Sequence, residues 1–143
     1  MRLEIEILLL LFLINLSTES RFNEARLTAK LLFHKIWEAT GQNNKNKAEK
    51  YFANSFYFTT CDMNFTRSFF VKSWIDGGTR PDGIHLYNAD FSPRDNYTIL
   101  EFSLNSPKYN SEYLANNKTG KWRISEGRTV PPDLCRSEFF IAT

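Results

Sequence analysis

The chain has 143 residues, 15% of them aromatic (13 Phe, 6 Tyr and 3 Trp), and a formal net charge of +2. That length fits one domain, and so many rings exclude disorder throughout, pointing instead to a large packed interior or a lined cavity. Lys and Arg are scattered apart from the Lys45, Lys47, Lys50 cluster, with no basic tract interleaved with stacking aromatics, which argues against a nucleic-acid partner.

The opening stretch, "MRLEIEILLLLFLINLSTES", sets one basic residue, Arg2, before an apolar run from Ile7 to Ile14 and ends in small polar residues. That is the layout of a secretory signal, although Glu4 and Glu6 depart from the usual positive start. The run is far shorter than the ~20 apolar residues that span a bilayer, so no membrane span is expected. The expectation is a signal peptide over residues 1–20 and a single secreted domain with a C-terminal tail over 21–143. An amphipathic or buried N-terminal helix is the alternative. Processing would move the formal charge to +4 by removing Arg2, Glu4, Glu6 and Glu19.

Cys61 and Cys135 are the only cysteines. In an exported chain such a pair forms a disulfide as a rule, here pinning the tail to the body across a loop of about 75 residues, worth on the order of 4 kcal/mol in the chain-entropy account. Two buried free thiols are the alternative, and neither His34 nor His85 sits in a motif that would make either cysteine catalytic. Asn64 in "NFT", Asn96 in "NYT" and Asn117 in "NKT" are glycosylation sequons near expected turns, although about two such triplets arise by composition alone.

Past the leader, Ala25, Ala29, Leu32, Ile36 and Ala39 recur at helical spacing, Phe33 and Trp37 form an aromatic ridge beside them, and Gly41 ends the helix. His34 lies off the stripe. The polar "GQNNKNK" leads to a second helix in "AEKYFANSF", with Ala48, Tyr51, Phe52 and Phe56 inward. "FYFTTCDM" reads as a short extended piece, and "NFTRSFFVKSWIDGG" as a third helix capped by Asn64 or Thr66 and closed at Gly77.

Strands follow. "IHLYNADF" sets Ile84, Leu86 and Asn88 against His85, Tyr87 and Ala89, "SPRD" turns, and "NYTILEFSL" opposes Leu100, Phe102 and Leu104 to Tyr97, Ile99 and Glu101. "NSEYLANN" and "KWRISEGRT" join through the Asn- and Gly-rich "NNKTG". Trp122 and Ile124 share one face of the last strand, with Trp37 the candidate neighbour of Trp122. Pro131 and Pro132 keep the tail from continuing a central strand.

Helices followed by a curved sheet make this an α+β chain that resembles the nuclear-transport-factor-2-like cone domains, the fold shared with SnoaL-type cyclases and ketosteroid isomerases. The resemblance rests on "AEKYFANSFYFTTCDMNFTRSFF" and on the last strand, "GKWRISEGR", and covers about Glu24 to Thr129. The chain is also similar to small secreted nematode proteins of this class. The resemblance implies three helices packed on a curved antiparallel sheet of about four to six strands, with Trp37, Phe52, Phe56, Phe70, Trp74, Phe102 and Trp122 lining the interior.

Enzymes of this fold hold an acid or base inside the cone, where burial raises a carboxyl pKa. The candidates here are Asp62, Asp90, Glu101, His85 and Tyr87, but no local motif matches the family's catalytic aspartate, and no metal-ligand spacing, phosphate loop or nucleophile elbow occurs. The leading expectation is a non-catalytic domain, without cofactor, that binds an apolar small molecule in its pocket or a protein partner on its sheet. The rival is a cofactor-independent isomerase or dehydratase-like enzyme using an inward Asp or His. A third reading is a homodimer through the outer sheet face, with Tyr97, Ile99 and Tyr113 as its apolar patch.

Overall fold

The computed structural model describes residues 2–60, 63–77, 84–105 and 110–130. Cys61, Asp62, Cys135 and the tail from residue 131 therefore lie outside the described residues, and with them the expected disulfide.

Helix α1 runs without a break from Arg2 to Gly41, so the stretch expected as a leader and the first expected helix form one element. Its two halves differ in what they touch. From Leu3 to Leu16 the large apolar side chains stand in solvent on every side, 46% to 71% exposed. From Ala25 onward one face is buried through Ala25, Ala29, Leu32, Phe33, Ile36 and Ala39, with α1 lying mainly across β3 (His85–Pro93). The small side chains of Ala25 and Ala29 let helix and sheet approach closely. The helix ends as its sequence requires, although Asn43 rather than Gly41 takes the left-handed conformation, with φ 56°. The Asn44 amide then donates back to the Ala39 carbonyl at 2.9 Å.

The second helix is shorter than its sequence suggests. α2 covers only Lys45–Glu49, capped by the Asn44 side chain, which accepts from the Lys47 amide at 3.1 Å. Phe52 and Phe56 belong instead to strand β1 (Phe52–Thr60), where Phe56, Phe58 and Thr60 are buried at every second position and Tyr57 is exposed. Burying those rings on a sheet face outweighs the helical spacing of Ala48, Tyr51 and Phe52. Strand β2 (Met63–Thr66) folds back on β1, so Asn64 is a strand residue and the cap of α3 (Arg67–Asp76) is Thr66, whose hydroxyl accepts from the Phe69 amide at 3.4 Å.

After β3 come β4 (Thr98–Asn105), β5 (Asn110–Asn116) and β6 (Arg123–Val130), in one sheet of order β2-β1-β6-β5-β4-β3. The sheet is mixed rather than purely antiparallel, because β1 and β6 pair in parallel, Tyr57 beside Glu126 and Phe58 beside Gly127. The whole chain between them serves as the long crossover that parallel neighbours need.

Two bulges help give the sheet its curvature and also shift which residues face inward. In β6, Ala115 pairs with Ile124 but Leu114 with Glu126, leaving Ser125 as the extra residue, its hydroxyl donating to the Leu114 carbonyl at 3.1 Å. In β3, Leu86 pairs with Leu104 but Asn88 with Ser103, leaving Tyr87 extra. Buried positions accordingly change parity, from Ile124 to Gly127 and Thr129 in β6, and from Leu86 to Ala89 and Phe91 in β3. The expected pairing of Leu86 with Asn88 on one face fails for this reason. Trp122 meets the ring of Phe91, stacked at 5.8 Å, rather than Trp37.

Candidate functional site

The concave face of the sheet, covered by α1 and α3, is where a cone domain would hold a ligand. Strand register arranges its inward side chains in rows. Ile124, Ala115 and Leu100 form one row, all fully buried. The next runs through Phe58, Gly127, Tyr113, Phe102 and Ala89. Rings then fill the space between this face and the helices. Phe102 stacks on Tyr113 at 5.3 Å, Phe58 on Phe70 at 4.9 Å, and Phe33 from α1 meets the edge of Phe102 at 5.3 Å.

Most of the residues expected to line a pocket are thus in contact with one another. Phe52 lies 4.9 Å from Phe56, Phe56 5.2 Å from Phe70, and Phe70 5.2 Å from Trp74, centroid to centroid. Trp37 is half-buried against Phe33 at 5.4 Å, and Trp122 sits apart on Phe91. A concavity of about 570 Å³ exists, but it is an open surface feature at the β3–β4 turn, lined by Pro93, Arg94, Asp95, Asn96 and Tyr97 and remote from the interior.

One row the sequence reading missed carries hydroxyls. Thr60, Thr129 and Ser111, on β1, β6 and β5, are the buried polar residues among those described, and Thr129 donates to the Thr60 hydroxyl at 3.2 Å. Their signal was a threonine closing each of two apolar-alternating strands, which reads as a strand end rather than as a polar step in the core. Gly127 was equally silent. A Cβ there would lie 2.7 Å from the Tyr113 ring and 2.8 Å from the Phe58 ring, so the glycine lets two rings close over β6.

Of the acid and base candidates, Asp62 lies outside the described residues, and Asp90, Glu101, His85 and Tyr87 are not brought together inside the cone. Asp90 is exposed with Glu101 directly opposite, and its carboxylate accepts from the neighbouring Phe91 amide at 2.9 Å. His85 is exposed at the start of β3, and Tyr87, thrust out by its bulge, is 69% exposed. Among the described residues no group of His, Cys, Asp and Glu could hold a metal, and no helix is long and apolar enough to cross a membrane.

On the outer face the expected patch loses a member, since Tyr113 is a core residue at 3% exposure. Tyr97 and Ile99 are half-buried, the former under the Lys118 ammonium at 4.6 Å. Tyr57 is the exposed tyrosine of β1. Its hydroxyl donates to the Glu126 carboxylate at 2.7 Å, and the loss of that bond to an anion, with the charge itself, pushes its pKa above the ordinary value. Arg128 and Glu112 pair beside it at 2.6 Å. Of the sequons, Asn64 and Asn96 are exposed, while the Asn117 side chain is tied into its turn, accepting from the Thr98 amide at 2.8 Å.

Solved structures share this arrangement. An NTF2-like protein from Cytophaga hutchinsonii superposes with a TM-score of 0.53 at 11% identity, over 73% of this chain and 95% of its own. An NTF2-like protein with a cystatin-like fold from Novosphingobium aromaticivorans gives 0.50 at 13% identity, over 92% and 97%. The protein called Rd1NTF2_05 with long sheet gives 0.53 at 11% identity, over 71% and 94%. The chain therefore has the NTF2-like cone fold, as its sequence pattern suggests. No protein-family profile matches it, and no curated protein does.

Proposed function

We propose that the chain is a secreted, non-catalytic cone domain that acts by presenting its outer sheet face to a protein partner. The observation that carries this reading is the packed interior: Phe52, Phe56, Phe58, Phe70, Phe102 and Tyr113 occupy the space in which a ligand-binding cone holds its ligand. The non-catalytic part is supported by the placing of the described carboxylate and imidazole candidates, since Asp90, Glu101 and His85 are all exposed rather than inward. The outer face has the composition of a protein interface. Tyr57 and Tyr87 are exposed at its two sides, Ile99 and Leu114 are half-buried between them, and Glu112, Glu126 and Arg128 supply charge.

Secretion is supported by the large apolar side chains from Leu3 to Leu16, which are largely exposed and would be removed with the leader. It brings with it the Cys61–Cys135 disulfide and glycans, for which Asn64 and Asn96 are the open sites. A second reading, an apolar small molecule with one hydrogen-bond acceptor, is favoured by the buried indole N–H of Trp37, which meets no acceptor among the described residues.

The test is the native mass of the protein recovered from a secretory host, compared with its denatured mass. The expected result is the chain processed near residue 20, with one disulfide and no small molecule. A molecule lost on denaturation would establish the second reading instead, and an intact leader would overturn secretion. Sedimentation across a concentration series then separates a second copy from a different protein as the partner.

A further inference from the structure

The two sides of the domain carry opposite charge. On the outer face, strand register lines up Tyr57, Glu126, Leu114, Glu101 and Asp90, running from β1 through β6, β5 and β4 to β3. The neighbouring row adds Arg128 and Glu112, which pair with each other at 2.6 Å. Glu101 and Asp90 stand directly opposite each other, both exposed, and among the described residues no cation pairs with either. Like charges held opposite on a sheet repel, and an incoming cation would relieve them.

The helix side is basic. Lys45 and Lys47 in α2, Lys50 at its C-cap, and Arg67 and Lys72 in α3 stand against the two carboxylates of these helices, Glu49 and Asp76. α2 packs on α3, where the Lys45 ammonium donates to the Ser68 hydroxyl at 2.7 Å, with Glu49 3.7 Å away. Phe69 follows Ser68 and is 55% exposed, and the exposed Lys72 shares its face of the helix. Cation, ring and cation therefore succeed one another along this surface. On the sheet, Glu126, Leu114 and Glu101 give carboxylate, apolar side chain and carboxylate at about 5 Å per strand. The two patterns complement each other, and such complementarity selects partner and register across an interface.

We infer, resting on the reading of the outer face as a docking surface, that its partner is a second copy of this chain, docked head to tail with the α2 and α3 side of one copy on the sheet of the next. Two sheet faces paired about a twofold axis would instead set the acidic row against itself. α3 packs on the concave side, with Phe70 stacked on Phe58 at 4.9 Å, so the two surfaces face opposite ways. Each added copy then leaves one free surface at either end, and the assembly is an open series rather than a closed dimer.

Sedimentation of the chain recovered from a secretory host tests this over a concentration series, in low salt and in about 0.5 M salt, where charges are screened within about 4 Å. The expected result is growth past the dimer in low salt, with association weaker by about tenfold or more in high salt. The sheet variant Asp90→Lys, Glu101→Lys and the helix variant Lys45→Glu, Lys72→Glu should each stay monomeric. Their equimolar mixture should associate again, because each keeps the surface that the other has lost. Glu101→Gln and Lys72→Gln, too mild to unfold the chain, should each weaken association about threefold or more, which keeps the test decisive should a charge reversal not fold. Three outcomes overturn the inference. A chain monomeric in low salt at every concentration would leave the outer face to a different protein. A helix variant that still dimerises would make the contact sheet on sheet. Association untouched by the sheet variant would remove the outer face as a docking surface, and the proposed function with it.

Discussion

At the scale of single residues, the core is specified as much by what is missing as by what is present. Gly127 sits where two rings would collide with any side chain. Gly127→Ala is expected to destabilise the domain by about 1 to 3 kcal/mol, the usual range for overpacking, read as a lower midpoint in urea at unchanged slope. Tyr57 makes a different kind of statement. Its phenol is held protonated by Glu126, so its folded pKa lies above its unfolded one. Any stability it lends is complete below the unfolded value near 10 and fades as pH rises through the folded value. Absorbance titration should show a late-ionising phenol that is absent in Tyr57→Phe and moves back toward the ordinary range in Glu126→Gln.

At the scale of elements, most of the fold could be read from alternation and spacing, and the failures have physical reasons. The strands from "IHLYNADF" to "KWRISEGRT" appear where their period of two places them, and the third helix ends at Gly77 as expected. The spacing of Ala48, Tyr51 and Phe52 predicts a longer second helix than forms, because the packing that recruits Phe52 and Phe56 to a strand comes from β6 and α3, distant in sequence. Bulges at Tyr87 and Ser125 left no local mark, and they decide which side chains face in. The site was less legible still. Its ring residues could be named, but their mutual contacts, the hydroxyl row and the role of Gly127 depend on register. Helix α3 offers a local test, since Thr66 supplies its cap. Thr66→Ala should cost about 1 kcal/mol in a denaturation curve, and Thr66→Asp less. Phe70 anchors the same helix among Phe52, Phe56, Phe58 and Trp74. Phe70→Ala should cost about 3 to 5 kcal/mol by the same measurement.

At the scale of the whole molecule, the exposed half of α1 adds apolar surface without adding to the core. A chain beginning at residue 21 should therefore unfold at the same denaturant midpoint as the longer one while staying soluble at higher concentration, which turbidity and equilibrium unfolding would check together. The parallel pairing of β1 with β6 has a consequence in time. Tyr57 and its partner Glu126 are separated by 69 positions, and the strand that fills the gap between β1 and β5 is the last of the described strands to be made. At synthesis rates of 5–20 residues per second, β1 waits roughly 3 to 14 s for its neighbour. Until then the nascent chain holds two fragments of sheet, β2-β1 on one side and β5-β4-β3 on the other, each showing an open edge toward the other. Closure is a single late event, so a translational stall before β6 would leave a species with neither a finished core nor a protected edge, and a holding chaperone would have its longest task in those seconds.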